Sequence, residues 1–279
     1  MKKFRYYLLS FFAVLFLMIS CTEVIEININ DSDPQIVVEA EMPESGFANI
    51  KITKSLNITA TDSFPAYENA IVTIQDNMGN QEILKESSPG IYQSVLLKGV
   101  PGRIYSINIM KDDAGIFSKD SMPETVKMNG VLVTKSAFGG QSFGPNAGNQ
   151  SDSLPLVDVT LLYNDPVNIV NYYRIVEYRN NKLASIYLDS DKFNNGKQVK
   201  KFLFSFDRRM APGDTLAVEM QSISAEVFDY FYSFSGSGGG PSSGSPANPL
   251  TNLNGTRLGY FSAYGRHRIE VILTPEMLK

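Results

Sequence analysis

Tryptophan is absent, and cysteine and histidine occur once each, as Cys21 and His267. One cysteine forms no intramolecular disulfide and no thiolate metal site, so the fold must be held by burial alone, and a lone histidine argues against zinc. Missing tryptophan weakens the case for a carbohydrate-stacking platform. An excess of positive charge is lacking too: 25 Lys and Arg stand against 29 Asp and Glu, a net charge of −4. This balance argues against nucleic acid or anionic lipid as a partner, because both reward clustered cations. No apolar run reaches the ~20 residues of a membrane-spanning helix.

What is present begins with an address. Lys2, Lys3 and Arg5 form a basic head, and Leu8 to Ile19 follow as an apolar run of about a dozen residues. Residues 1–20 read as a secretory signal, and Leu17-Met18-Ile19-Ser20-Cys21 closes it as bacterial lipoprotein signals close. Cys21 is therefore expected to become the first residue and to carry acyl chains. Loss of the signal removes three basic and no acidic residues, taking the net charge from −4 to −7. Residues 21–33 read as an anchor and short tether merging into a strand, with Ile25, Ile27 and Ile29 on one face and Glu26, Asn28 and Asn30 on the other.

The rest is expected to be mainly β. Short β-rich runs at 36–40, 48–53, 70–75, 91–96 and 104–110 alternate with turn clusters such as Asp76-Asn77-Met78-Gly79-Asn80 and Ser88-Pro89-Gly90. This spacing predicts an immunoglobulin-like β-sandwich over residues 34–120. A second β-rich domain is expected over residues 121–279, with strands at 156–163, 172–178, 183–188, 201–206, 215–223 and 267–273. Two Gly/Ser-rich loops, 136–153 and 235–249, interrupt it. One short helix is expected at about 224–235, with Ser224 as its cap and Glu226 in its first turn. Its aromatic content, including Phe228, Tyr230, Phe231, Tyr232 and Phe234, reads as mostly buried.

Motifs that could carry chemistry are sparse. Gly240-Pro241-Ser242-Ser243-Gly244 has the spacing of a nucleophile elbow. It lies in coil composition, however, and no acid occurs between Ser243 and Arg266. His267 shares a strand face with Ile269, Val271 and Leu273 and reads as structural. Asp189-Ser190-Asp191 with Asn194-Asn195-Gly196 fails the calcium-loop register, because Phe193 occupies a ligand position. Gly196-Lys197 lacks the rest of a phosphate loop, so no cofactor is expected. Asp120-Ser121-Met122, Asp152-Ser153-Leu154 and Asp214-Thr215-Leu216 fit a permissive O-glycosylation pattern. The many tyrosines read first as core and cross-strand pairs. If any form a ligand shelf, Tyr230, Tyr260 and Tyr264 are the candidates.

Several segments in a fixed order carry a resemblance. Ile36-Val37-Val38-Glu39-Ala40 comes first, then Gly90-Ile91-Tyr92 and Asn171-Tyr172-Tyr173-Arg174. The tail follows with Tyr230-Phe231, Ser245-Pro246-Ala247-Asn248-Pro249, Asn252 and Leu258-Gly259-Tyr260-Phe261-Ser262-Ala263-Tyr264. Over nearly its whole mature length the chain resembles the Bacteroidota lipoproteins grouped as domain of unknown function 4249. The resemblance implies a lipid-anchored outer-membrane protein encoded beside TonB-dependent receptors and serving nutrient uptake without known catalytic residues. The expected partners are the outer membrane, through lipid on Cys21, and a receptor barrel. An adhesive module and a surface hydrolase using the 235–249 loop are the alternative readings.

Overall fold

The computed structural model describes residues 33–57, 60–61, 63–111, 114–137, 154–205, 207–237, 248–256 and 258–279. The expectations at Cys21, at Ile25 to Ile29, at Ser242 and at Asp152-Ser153, and most of both Gly/Ser-rich loops, lie outside these residues. The chain is mainly β and built as sandwiches, with a single short α-helix among the described residues.

One long sheet organises the molecule. Its order is β12 (Lys182–Ser190), β11 (Tyr172–Arg179), β14 (Thr215–Ile223), β16 (Leu258–Ile272), β1 (Ile36–Pro43), β2 (Phe47–Lys54), β6 (Ile91–Lys98) and β5 (Lys85–Ser88). A five-stranded sheet, β15 (Leu253–Asn254), β8 (Ala114–Ser121), β7 (Ile104–Lys111), β3 (Ile71–Asp76) and β4 (Gln81–Ile83), packs on one half. A three-stranded sheet, β13 (Gln198–Leu203), β10 (Val157–Asn164) and β9 (Met128–Lys135), packs on the other.

The joint between the halves is β16. Its first part, Leu258 to Tyr264, pairs in parallel with Val37 to Pro43 of β1. Its second part, Gly265 to Ile272, pairs antiparallel with Thr215 to Ser222 of β14. Side chains alternate along a strand, and β16 keeps one phase throughout. Phe261 and Ala263 enter the first core, and Ile269 and Val271 pack against the second. Both small sheets therefore cover the same face of the long sheet. The expected strand 267–273 is the far end of this element, and the tail segment Leu258 to Tyr264 is its near end. The division expected near residue 120 is crossed here, because Leu253, Phe261 and Ala263 belong to a core otherwise built from residues 38–122.

The helix α1 (Ala225–Ser237) starts where expected: Ser224 Oγ accepts the Val227 amide at 3.3 Å, and Glu226 sits in the first turn. Its predicted burial is corrected by the structure. Val227 is fully buried, but Tyr232 and Phe234 are 65% and 58% exposed. The helix lies on the uncovered face of the long sheet, seating Val227, Phe228 and Phe231 against Ile223, Tyr264 and Tyr172. A single helix resting on a sheet buries one stripe, and its other rings remain at the surface.

Asp120, near the end of β8, fastens the sheets at this joint. Its Oδ2 accepts the Ala263 amide at 2.7 Å and its Oδ1 the Ser121 amide at 3.0 Å. Burial pushes its carboxyl up to about 7, against the lowering effect of hydrogen bonds from Ser224, Ala263 and Ser121. Between the ordinary value of 3.8 and about 7 the folded chain keeps a proton that the unfolded chain has released. Stability from this group is therefore greatest below that window and falls as pH rises through it. Urea unfolding at pH 5 and pH 8 is expected to show this decline in the native protein and a smaller one in Asp120→Asn.

Candidate functional site

The face of the long sheet that neither small sheet covers carries the other phase of every strand. From β1 come Val37, Glu39 and Glu41; from β16, Tyr260, Tyr264, Arg266 and Arg268; from β11, Arg174 and Tyr178; from β14, Glu219 and Gln221. Their neighbours Val38, Phe261, Tyr173 and Met220 point into the cores. The helix α1 covers part of this face and leaves two adjoining clefts.

The first cleft, about 370 Å³, is walled by Tyr230, Phe231 and Phe234 of α1, by Tyr260 and by Phe64. The rings make one cluster: Tyr230 to Tyr260 is 4.9 Å between centroids, Phe231 to Tyr260 4.8 Å, and Tyr230 to Phe231 5.2 Å, edge to face. Distances of this order are those at which aromatic pairs attract beyond their burial. At the rim Lys51 pairs with Glu39 at 2.9 Å.

The second cleft, about 340 Å³, is polar and lined by Arg174, Arg266, Arg268, Glu41, Glu219 and Gln221, with Tyr178 and Tyr264 among its walls. Glu219 Oε1 accepts from Gln221 at 2.7 Å. The Arg268 guanidinium lies 4.8 Å from the Tyr178 ring centre and reaches Glu270 at 3.5 Å.

Arg174 belongs to both clefts. Its guanidinium sits 4.4 Å from the centre of the Phe231 ring, and its Nη1 donates to Glu41 at 3.1 Å and Gln221 at 3.3 Å. The same Glu41 oxygen accepts the Tyr260 hydroxyl at 2.9 Å. The buried Arg174 Nε has no partner among the described residues. Burial, followed by the Glu41 charge, raises the phenols of Tyr260 and Tyr264, and burial followed by Glu39 raises that of Tyr230. These tyrosines therefore stay protonated, and the Tyr260 proton is held by Glu41.

The segments that build this face run from Val37 in β1 to Arg268 in β16, and a family model described as a domain of unknown function, DUF4249, matches residues 22–270. The chain belongs to this family. No curated protein matches it. The DUF4249 match thus takes in α1, both clefts and the β1–β16 seam.

Of the tyrosines expected as candidates, Tyr230 and Tyr260 meet in the aromatic cleft, while Tyr264 lies under α1 and lines the polar one. His267 is structural: its Nδ1 accepts the Met128 amide at 3.2 Å. Asp191 opens a short 3-10 turn, where its carbonyl accepts the Asn194 amide at 2.7 Å and its carboxylate accepts the Asn195 side chain at 3.3 Å. Asp189 pairs with Lys201 at 2.9 Å. Among the described residues no group of three His, Cys, Asp or Glu could hold a metal. A wider groove of about 920 Å³ lies beside the start of α1, lined largely by segments 121–129 and 164–172. Its walls lack the convergence of cations and rings found on the open face.

Arg174, Arg266, Arg268 and Glu41 were not among the expected site residues. A signal existed for two of them: Arg266 and Arg268 flank His267, so strand alternation places them together on the face opposite the core.

Proposed function

We propose that this DUF4249 chain is a non-enzymatic outer-membrane lipoprotein, anchored through acyl chains on Cys21, that holds a ligand for a TonB-dependent receptor barrel. The observation that carries the reading is the pair of clefts on the open sheet face, joined through Arg174. Their polar groups are held by one another: Glu41 by Arg174 and Tyr260, Glu219 by Gln221. A general acid or base works best with a pKa near the operating pH, and the raised tyrosines are shifted away from it. The arrangement suits recognition, in which rigid rings and charge-assisted hydrogen bonds do the selecting.

Two measurements test this. Cross-linking intact cells and purifying the chain should recover a receptor barrel, and repeated recovery of none overturns the proposal. Cys21→Ser should move the protein from the membrane to the soluble fraction, since stable attachment requires more than one acyl chain.

A further inference from the structure

The two clefts share Arg174 yet differ in character, and together they describe a ligand. The aromatic cleft offers ring faces and the apolar side chain of Val37. The polar cleft sets three guanidinium groups, of Arg174, Arg266 and Arg268, against two carboxylates, of Glu41 and Glu219. Glu41 is taken by Arg174 and Tyr260, and Glu219 by Gln221. Arg268 stacks on Tyr178 and has one long contact, to Glu270 at 3.5 Å. The exposed Arg266 side chain has no hydrogen-bond or ion-pair partner among the described residues. Its planar fork is suited to a carboxylate or a sulfate.

We infer that this face binds an elongated amphipathic anion, with its apolar or aromatic end between α1 and Tyr260 and its acidic end on Arg266 and Arg268. The inference deepens the proposed ligand-holding role and rests on it. Register sets the length. Tyr260 and Arg266 lie on the same face of β16 six residues apart, about 20 Å at ~3.3 Å per residue. A single ring with an attached acid is too short to engage both ends, and an inorganic anion engages only one.

Isothermal titration of the purified soluble chain with 11-phenylundecanoate, its neutral amide and inorganic sulfate tests this, all below the micellar range. The acid is expected to bind at least about tenfold more tightly than the amide, the value of one charge-assisted hydrogen bond, and more tightly than sulfate. Arg266→Gln should reduce the preference for the acid and Arg266→Gln with Arg268→Gln should erase it, while the amide is left unchanged. Phe234→Ser should weaken acid and amide alike. All three positions are exposed, so these variants should keep the native melting temperature. Equal affinity for acid and amide overturns the inference, as does an acid preference that survives loss of both Arg266 and Arg268. No binding up to about 1 mM, or closure of the face against a second copy as a dimer that excludes the probe, also overturns it. Failure here with a receptor still recovered by cross-linking removes the ligand class alone. Binding without any receptor removes the uptake role alone.

Discussion

Arg208→Ala is expected to destabilise the protein by about 3–5 kcal/mol, the usual cost of leaving half of a buried ion pair behind. Arg208 and Glu177 are both fully buried inside the second sandwich. Arg208 Nε and Nη2 donate to the two Glu177 oxygens at 2.9 and 2.6 Å, Nη2 also to the Tyr187 hydroxyl and the Leu203 carbonyl at 2.9 Å, and Nη1 to the Val157 carbonyl at 3.3 Å. Arg179 Nε adds a bond to Glu177 at 2.9 Å. Burial pushes the Glu177 carboxyl up, but Arg208 and Arg179 outweigh it and hold the carboxyl below its ordinary range. The stabilising contribution is thus present above the unfolded carboxylate's pKa and lost as pH falls through the lower folded value. Without Arg208 the carboxylate keeps only Arg179 and Tyr187, and two backbone carbonyls lose a donor. A double variant, Arg208→Met with Glu177→Leu, should recover much of the loss, because no charge is then left buried. Urea midpoints for the three proteins check this. A loss under about 1 kcal/mol in Arg208→Ala would show that water reaches the carboxylate.

Arg208 also marks the limit of what was legible. Nothing around Asp207-Arg208-Arg209 announces that Glu177, thirty-one positions earlier, waits for Arg208 in the core. Local patterns were legible. Short β-rich runs marked the strands at 36–43, 47–54, 71–76, 91–98, 104–111 and 215–223 to within three residues, because β-branched and aromatic residues and the turn residues between them act locally. The turn at Asp76 to Asn80 was readable from its residue types, and Asp76 Oδ1 indeed accepts the Met78 and Asn80 amides. Short or exposed strands such as β4 and β5 left too few buried positions to register. The seam between β1 and β16 joins residues about 220 apart in parallel, and such pairing leaves no local trace. The site suffered similarly. Tyr230 and Tyr260 could be picked out as rings, but the arginines that give their cleft its electrostatic partner come from strands whose order no single segment encodes.

Gly259→Ala is expected to cost about 3 kcal/mol or more, the upper end for a strained backbone position, because strain and overlap act together. Gly259 has φ +106°, a region L side chains rarely adopt, and a Cβ there would stand 1.8 Å from the Val38 carbonyl oxygen and 2.8 Å from its nitrogen. Val38 is its register partner in β1, so the overlap falls on backbone that carries the first core and cannot rotate away. Relief requires β1 to move off β16, which would also separate Glu41 from Tyr260 and open the aromatic cleft. Gly79→Ala is the control. Its φ is also positive, +87°, but nothing lies within 4 Å of the added carbon, so only the conformational penalty of about 1–2 kcal/mol applies. Thermal unfolding of both variants, with probe binding measured below their melting temperatures, separates the two effects. Gly79→Ala should keep native binding, whereas Gly259→Ala should lose it even where the chain remains folded. Equal losses of stability in the two variants would mean that the seam yields to a methyl group, and the rigidity required of the cleft would then have to come from α1.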